Sequence, residues 1–159
     1  MALDQQGKVA IVTGAGGGIG RAEALRLAAD GAAVVVNDFN PKAADETAAL
    51  IRANGGQAAV AAGDVASLDL AEAAVRTAVE QFGRLDVLIN NAGNSRPRFI
   101  VNMREEDWDS VMDTHVKGTF AFSRAAARHW RNGSAPGSRS GPPSSTPPRS
   151  TAFMASQAM

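Results

Sequence analysis

Short apolar runs alternate with longer stretches of helical period along most of this chain. Val9 to Val12, AAVVVND ending at Asp38, QAAVAAGDV and RLDVLINNAG are four such runs, each bounded by turn residues. Short apolar runs rich in Val and Ile between turn signals predict buried strands. The third is the weakest, because alanine is a poor strand former. Between the runs lie helical stretches. RAEALRLAADG is built from strong helix formers; it predicts a helix from about Ile19 to Asp30 that stops at Gly31, a residue suited to the left-handed C-terminal position. Asn40 and Pro41 predict an N-cap and first turn, with the helix running to about Ala53 and ending at Asn54-Gly55-Gly56. Ser67 caps a third helix with Leu68, Val75, Val79 and Phe82 on one face, closed by Gly83. A fourth starts within Arg104 to Asp107 and carries Val111, His115 and Phe122 on one broad side. Strands separated by helices imply right-handed crossovers and a parallel sheet. The predicted class is α/β, a Rossmann-like doubly wound sheet, incomplete, with about four strands and flanking helices.

The pattern then changes. Gly133 to Ser150 reads GSAPGSRSGPPSSTPPRS and holds five of the seven prolines, and no Val, Ile or Leu follows Lys117. Proline pairs are barred from a central strand, and this composition reads as disordered. The expected division is a dinucleotide-binding domain over 1–132 and a Gly/Pro/Ser-rich disordered tail over 133–159. With no following strand, Leu85 to Asn90 is expected to lie along an exposed edge, a template for association. So abrupt a change is also what a shifted reading frame in GC-rich DNA produces, which suggests a truncated or damaged chain.

Composition narrows the functions. At 159 residues the chain fits one domain, and 45% apolar content suffices for a core. A net charge of zero leaves no electrostatic footprint for nucleic acid. The absence of cysteine excludes disulfides and thiolate metal sites, and no metal site is read. No secretory leader and no bilayer-spanning run is visible, so no membrane partner and a cytoplasmic location are expected. There is no tyrosine.

The chemistry concentrates at strand ends. Lys8 to Gly20, KVAIVTGAGGGIG, is strand, glycine turn and helix start, the context in which backbone N–H groups and a helix dipole face a pyrophosphate. No Lys-Ser or Lys-Thr follows the last glycine, so it is no P-loop. Asp38 lies 18 residues beyond Gly20, at the end of the second strand. An acidic residue there bonds the adenosine ribose hydroxyls and repels a 2′-phosphate, favouring NAD over NADP; the alternative is a turn or cap residue. Asp64-Val65 and Asn90-Asn91-Ala92-Gly93 end the third and fourth strands. All four marks fall on one sheet edge, beyond which ligands sit in such folds.

These motifs resemble the short-chain dehydrogenase/reductase family over residues 8 to about 131. The resemblance implies a cofactor loop of Thr13, Gly14, Gly18, Ile19 and Gly20. It implies adenine contacts from Asp64 and Val65, and a backbone and ribose contact from Asn91. Ala92 and Gly93 would lie at the nicotinamide side. His115 stands where the family usually has Asn, 24 residues past Asn91. There it would hold a water of the proton relay, or else be a core histidine with one satisfied bond. A similar His-bearing stretch occurs in the hydroxyacyl-CoA dehydrogenase part of multifunctional β-oxidation enzymes. Arg96 and Arg98 then face an anionic substrate such as an acyl-CoA, or are solvated loop charges. The implied reaction is NAD-dependent hydride transfer between a secondary alcohol and a ketone. The family's acid/base is a Tyr in Tyr-x-x-x-Lys, which this chain lacks; Ser150 is the nearest candidate for the catalytic Ser. Little or no turnover is therefore expected from the chain as written. The alternative function is a non-catalytic dinucleotide-binding or partner-binding remnant. A nucleotide-binding methyltransferase is disfavoured by Asn-Asn-Ala-Gly. Full-length members form homo-oligomers through the helices bearing His115 and the Tyr-x-x-x-Lys.

Overall fold

The computed structural model describes residues 4–133 and 153–155. Four strands, β1 (Val9–Val12), β2 (Ala33–Val36), β3 (Gln57–Val60) and β4 (Val87–Asn90), alternate with three helices. These are α1 (Gly18–Ala29), α2 (Pro41–Ala53) and α3 (Leu68–Phe82). Beyond β4, a 3-10 turn at Ile100–Asn102 leads to α4 (Glu105–Met112), a π-helical turn at Asp113–Lys117 and α5 (Gly118–Gly133). The sheet is parallel, in the order β3-β2-β1-β4-β5. The direction of winding reverses between β1 and β4, and the crevice at such a reversal is where doubly wound folds take ligands.

Local chemistry sets most element ends. Asn40 Oδ1 accepts from the Lys42 and Ala43 amides, with Pro41 in the first turn of α2. Ser67 Oγ accepts from the Leu70 amide at the start of α3, and Gly83 ends it at a φ of 81°. The sheet's alternation then divides the core. Val9, Ile11, Val35 and Leu88 face α3 and α5, where Phe122 is fully buried. Val12, Val34, Val36 and Ile89 face α1 and α2. The face of α3 that meets the sheet is only partly the one expected, Val75 being buried and Phe82 packing against the core. Ala71, Ala74, Val75 and Ala78 are buried, whereas Leu68 is exposed and Val79 and Phe82 are only half-buried. Small side chains let the helix lie close to the sheet, so the alanine stripe takes the inner position.

The exposed-edge expectation for β4 is corrected. A short strand β5 (Phe153–Ala155) pairs with it in parallel, Leu88 opposite Phe153 and Asn90 opposite Ala155. The strand contains no Val, Ile or Leu and so gives no strand signal in the sequence, yet backbone pairing needs only a short extended segment free of proline. The apolar side chains of the segment are covered too: Leu85, Leu88 and Ile89 are buried. Strand side chains point above and below the sheet, so the helical layers bury them whatever lies alongside. The indole N–H of Trp130 also donates to Leu85 O at 2.7 Å. Residues 134–152 and 156–159, including most of the expected tail, lie outside the described residues.

Candidate functional site

One cleft of about 1140 Å³ opens along the carboxyl ends of the strands. Its floor is the turn between β1 and α1. Gly14 has a φ of 63°, a left-handed conformation favouring glycine, and a Cβ there would sit 2.7 Å from the Ala92 Cα. A Cβ on Gly20 would strike the Gly14 carbonyl oxygen and the Asn91 side-chain amide. The two glycines thus let the turn, the first turn of α1 and the loop after β4 close on one another. Gly17 at the N-cap of α1 provides no side-chain cap, and the first turn has no acidic residue. The N-terminal amides are therefore free of the side-chain partners that usually occupy them, a setting that suits an anion.

Thr13, buried beneath this floor, ties β1 to β4. Its Oγ1 donates to Ile89 O at 3.3 Å and accepts from the Asn91 and Ala92 amides, each at 3.1 Å. The Asn91 side chain returns the link, donating to Thr13 O at 3.0 Å and Gly14 O at 3.2 Å. At the far end of the floor stands Asp38. Its Oδ2 accepts from the Gly16 amide at 2.8 Å and its Oδ1 from the Asn40 amide at 2.9 Å. Asp64 makes a local turn, Oδ1 accepting from the Ala66 amide at 2.9 Å, and Val65 packs under it against α5 at Gly118.

The other end of the cleft is made of side chains. Asn94 Nδ2 donates to Ser110 O, Ser110 Oγ and Thr114 Oγ1 at 3.2, 3.0 and 3.1 Å. His115 sits within the π-helical turn with Nε2 2.8 Å from Asn94 O and 3.1 Å from Asn94 N. When Nε2 is protonated it donates to the carbonyl; otherwise it accepts from the amide. This nitrogen is committed to the backbone of the loop after β4. Of the two loop arginines only Arg96 lines the cleft. Arg98 is turned away into an ion pair with Asp107 at 2.8 Å. Asp107 is buried, and the hydrogen-bonding Arg104 guanidinium holds its carboxyl below the usual range, helped by the Arg104 amide and the charge of Arg98.

Gly14, Ile19, Gly20, Asp38, Asp64 and Val65 all line this one cleft. So do Asn91, Ala92, Gly93 and His115. Thr13 lies under it, and Gly18 opens α1 without lining it. Ser150 lies outside the described residues. Phe39, Asn94, Ser110 and Thr114 line the cleft as well, and no motif in the sequence marks them. Phe39 has a signal in the sequence short of a motif, a large apolar residue in a turn-like stretch beside Asp38, and the structure leaves it exposed. The other three are polar residues in a loop and a helix, where a solvated face looks the same. Among the described residues no helix is long and apolar enough to cross a membrane.

The profile of the family described as short chain dehydrogenase matches residues 8–138. The short-chain reductase protein NovJ of Streptomyces niveus is 49% identical over 126 residues, 79% of this chain and 48% of that protein. The hydroxyacyl-CoA dehydrogenase ChsB1 of Mycobacterium tuberculosis is 44% identical over 134 residues, 81% of this chain and 42% of that protein. A crystal structure of a short chain dehydrogenase from Mycobacterium avium superposes with a TM-score of 0.78 at 48% identity, covering 82% of this chain and 48% of the other. The chain thus spans about half the length of these relatives.

Proposed function

This chain belongs to the short-chain dehydrogenase family of oxidoreductases, and on that footing we propose that its cleft holds a nicotinamide dinucleotide, NAD in preference to NADP. The observation that carries the preference is the setting of Asp38. A carboxylate has about four acceptor positions, and two backbone amides use one on each oxygen. The two that remain at the cleft suit the vicinal hydroxyls of a ribose. A 2′-phosphate there meets a like charge, a repulsion of about 1–4 kcal/mol at a few Å. The free amides at the start of α1 suit the pyrophosphate, and the unused oxygen of Asp64 suits the adenine amino group. Asn91 holds the floor, and His115 holds the loop that would border the nicotinamide. When bound, the nicotinamide supplies or accepts the hydride.

The reaction we propose for the whole protein is interconversion of a secondary alcohol and a ketone. Arg96 is the one arginine or lysine among the described residues lining the cleft, and it stands at the end opposite Asp38. That position, with the resemblance to a hydroxyacyl-CoA dehydrogenase, supports an acyl-CoA as substrate. These 159 residues contain no tyrosine, so we propose that this stretch binds cofactor with little or no turnover.

Calorimetry with NAD and NADP tests the reading. NAD should bind more tightly, and Asp38→Ala should narrow the gap; equal affinities for the unsubstituted chain would overturn the preference. Steady NADH production by a mass-verified preparation free of host enzymes would overturn the inactivity.

A further inference from the structure

Gly16 is gripped from both sides. Its amide donates to Asp38 Oδ2 at 2.8 Å. Its carbonyl accepts from Arg21 Nη2, on the first turns of α1. A Cβ at Gly16 would lie 2.6 Å from Asp38 Cγ and 2.8 Å from Ala43 Cβ, so the Gly16 Cα is seated directly against the carboxylate and α2. Arg21 itself is anchored. Its Nε donates to Thr47 Oγ1 at 2.9 Å, and Thr47 is fully buried and donates in turn to Ala43 O at 3.2 Å. Its Nη2 lies 3.4 Å from Glu46 Oε2. One guanidinium thus joins α1, α2 and the glycine turn.

The fork matters more than the charge. A guanidinium presents several donors in a fixed plane, and Arg21 uses that geometry to reach the Gly16 carbonyl and Thr47 at once. An ammonium is a point charge on a flexible stem and does not hold the two acceptors in one fixed plane. With the Gly16 carbonyl released, the backbone at Gly16 is held on one side only, its torsions loosen, and the bond from its amide to Asp38 opens more often; that bond is half of the orientation of Asp38.

We propose that Arg21 is a positioning residue for cofactor selectivity, acting through the backbone of Gly16 to hold the Asp38 carboxylate in place against the ribose. This rests on the dinucleotide reading of the cleft.

Two measurements on the full chain separate this proposal from that reading. The first needs no cofactor: hydrogen exchange at the Gly16 amide. Arg21→Met and Arg21→Lys should both speed exchange there by about ten-fold, the scale of one lost hydrogen bond to a charged group, while the amides of Val9 to Val12 keep their protection. Unchanged Gly16 exchange would overturn the proposal. If β1 exchange rises in step, the residue is merely structural, which overturns it equally. The second measurement is the ratio of NAD to NADP affinity. It should fall about ten-fold in Arg21→Lys and fall no further when Arg21→Lys is added to Asp38→Ala. Equal weakening for both cofactors, or an effect that adds fully to Asp38→Ala, would overturn the role of Arg21. A chain that binds neither dinucleotide would sink the reading of the cleft, while Gly16 exchange would still decide whether Arg21 holds the turn.

Discussion

At the Asp38 end of the cleft the parts are backbone groups. Gly16 and Asn40 amides orient the carboxylate, Thr13 receives two amides from the loop after β4, and glycines bring the chains into contact. At the His115 end the parts are side chains on a loop and a π-helical turn. Asn94 reaches Ser110 and Thr114, and His115 reaches back to Asn94. The surfaces around the two ends differ as well. Near the second, Phe99, Ile100 and Val101 are each more than three-quarters exposed, and Trp108, Val116 and Phe120 more than half. The first end is thus set by short-range backbone geometry on a buried sheet. The second hangs on a handful of polar side chains, and a π-helical turn of this kind is common at functional sites.

Substitutions at each end can break or sharpen that contrast. The largest effect is expected from Gly20→Val, which has no room against Gly14 and Asn91. It should cost about 3 kcal/mol or more and abolish NAD binding, read by thermal melts and calorimetry. A near-normal melt with retained binding would mean that the floor is pliant. Thr13→Val keeps the shape but leaves the Asn91 and Ala92 amides without their acceptor. Partly buried groups left unpaired cost about 1 kcal/mol each, the low end of the range, so denaturant unfolding should show a loss of about 2 kcal/mol. His115→Ala should cost about 1 kcal/mol and speed exchange at the Asn94 amide, leaving the glycine-turn amides unchanged. If those amides respond too, the two ends are one unit and the contrast fails.

The smallest effect is confined to acid. Arg104 lowers the Asp107 carboxyl below its usual range by hydrogen bonding, its backbone amide and charge, with Arg98 adding to it. A carboxyl lowered in the folded state stabilises the fold fully above its unfolded value of about 4 and loses that contribution as pH falls through the folded value. Melts between about pH 5 and 2 should therefore show less acid sensitivity in Asp107→Asn than in the parent chain. Identical slopes would mean that the pair contributes nothing.

The candidate site was legible where a residue type and a strand end coincide. Gly14, Asp38, Asp64 and Asn91 each end a strand or follow one, Gly20 lies in the first turn of the helix after β1, and a parallel sheet brings all such positions to one edge. Asn94, Ser110 and Thr114 were not legible, because their partners lie across the fold and a polar helical residue gives no sign of facing inward. Arg96 and Arg98 were indistinguishable in sequence. Only the position of Asp107 turns one into an ion pair and leaves the other at the cleft.

The same division runs through the fold. Strands β1 to β4, the caps at Asn40 and Ser67, the stop at Gly83 and the parallel winding were determined by the sequence itself, since they depend on contacts within a few residues or on the strand-helix alternation. Tertiary structure alone decided the pairing of β5 with β4, the alanine face of α3, the π-helical turn that carries His115, and the grip of Arg21 on Gly16. Each of these depends on which surface arrives opposite. Propensity and periodicity carry no information about that, because a peptide group or a guanidinium bonds to whatever partner packing brings within reach.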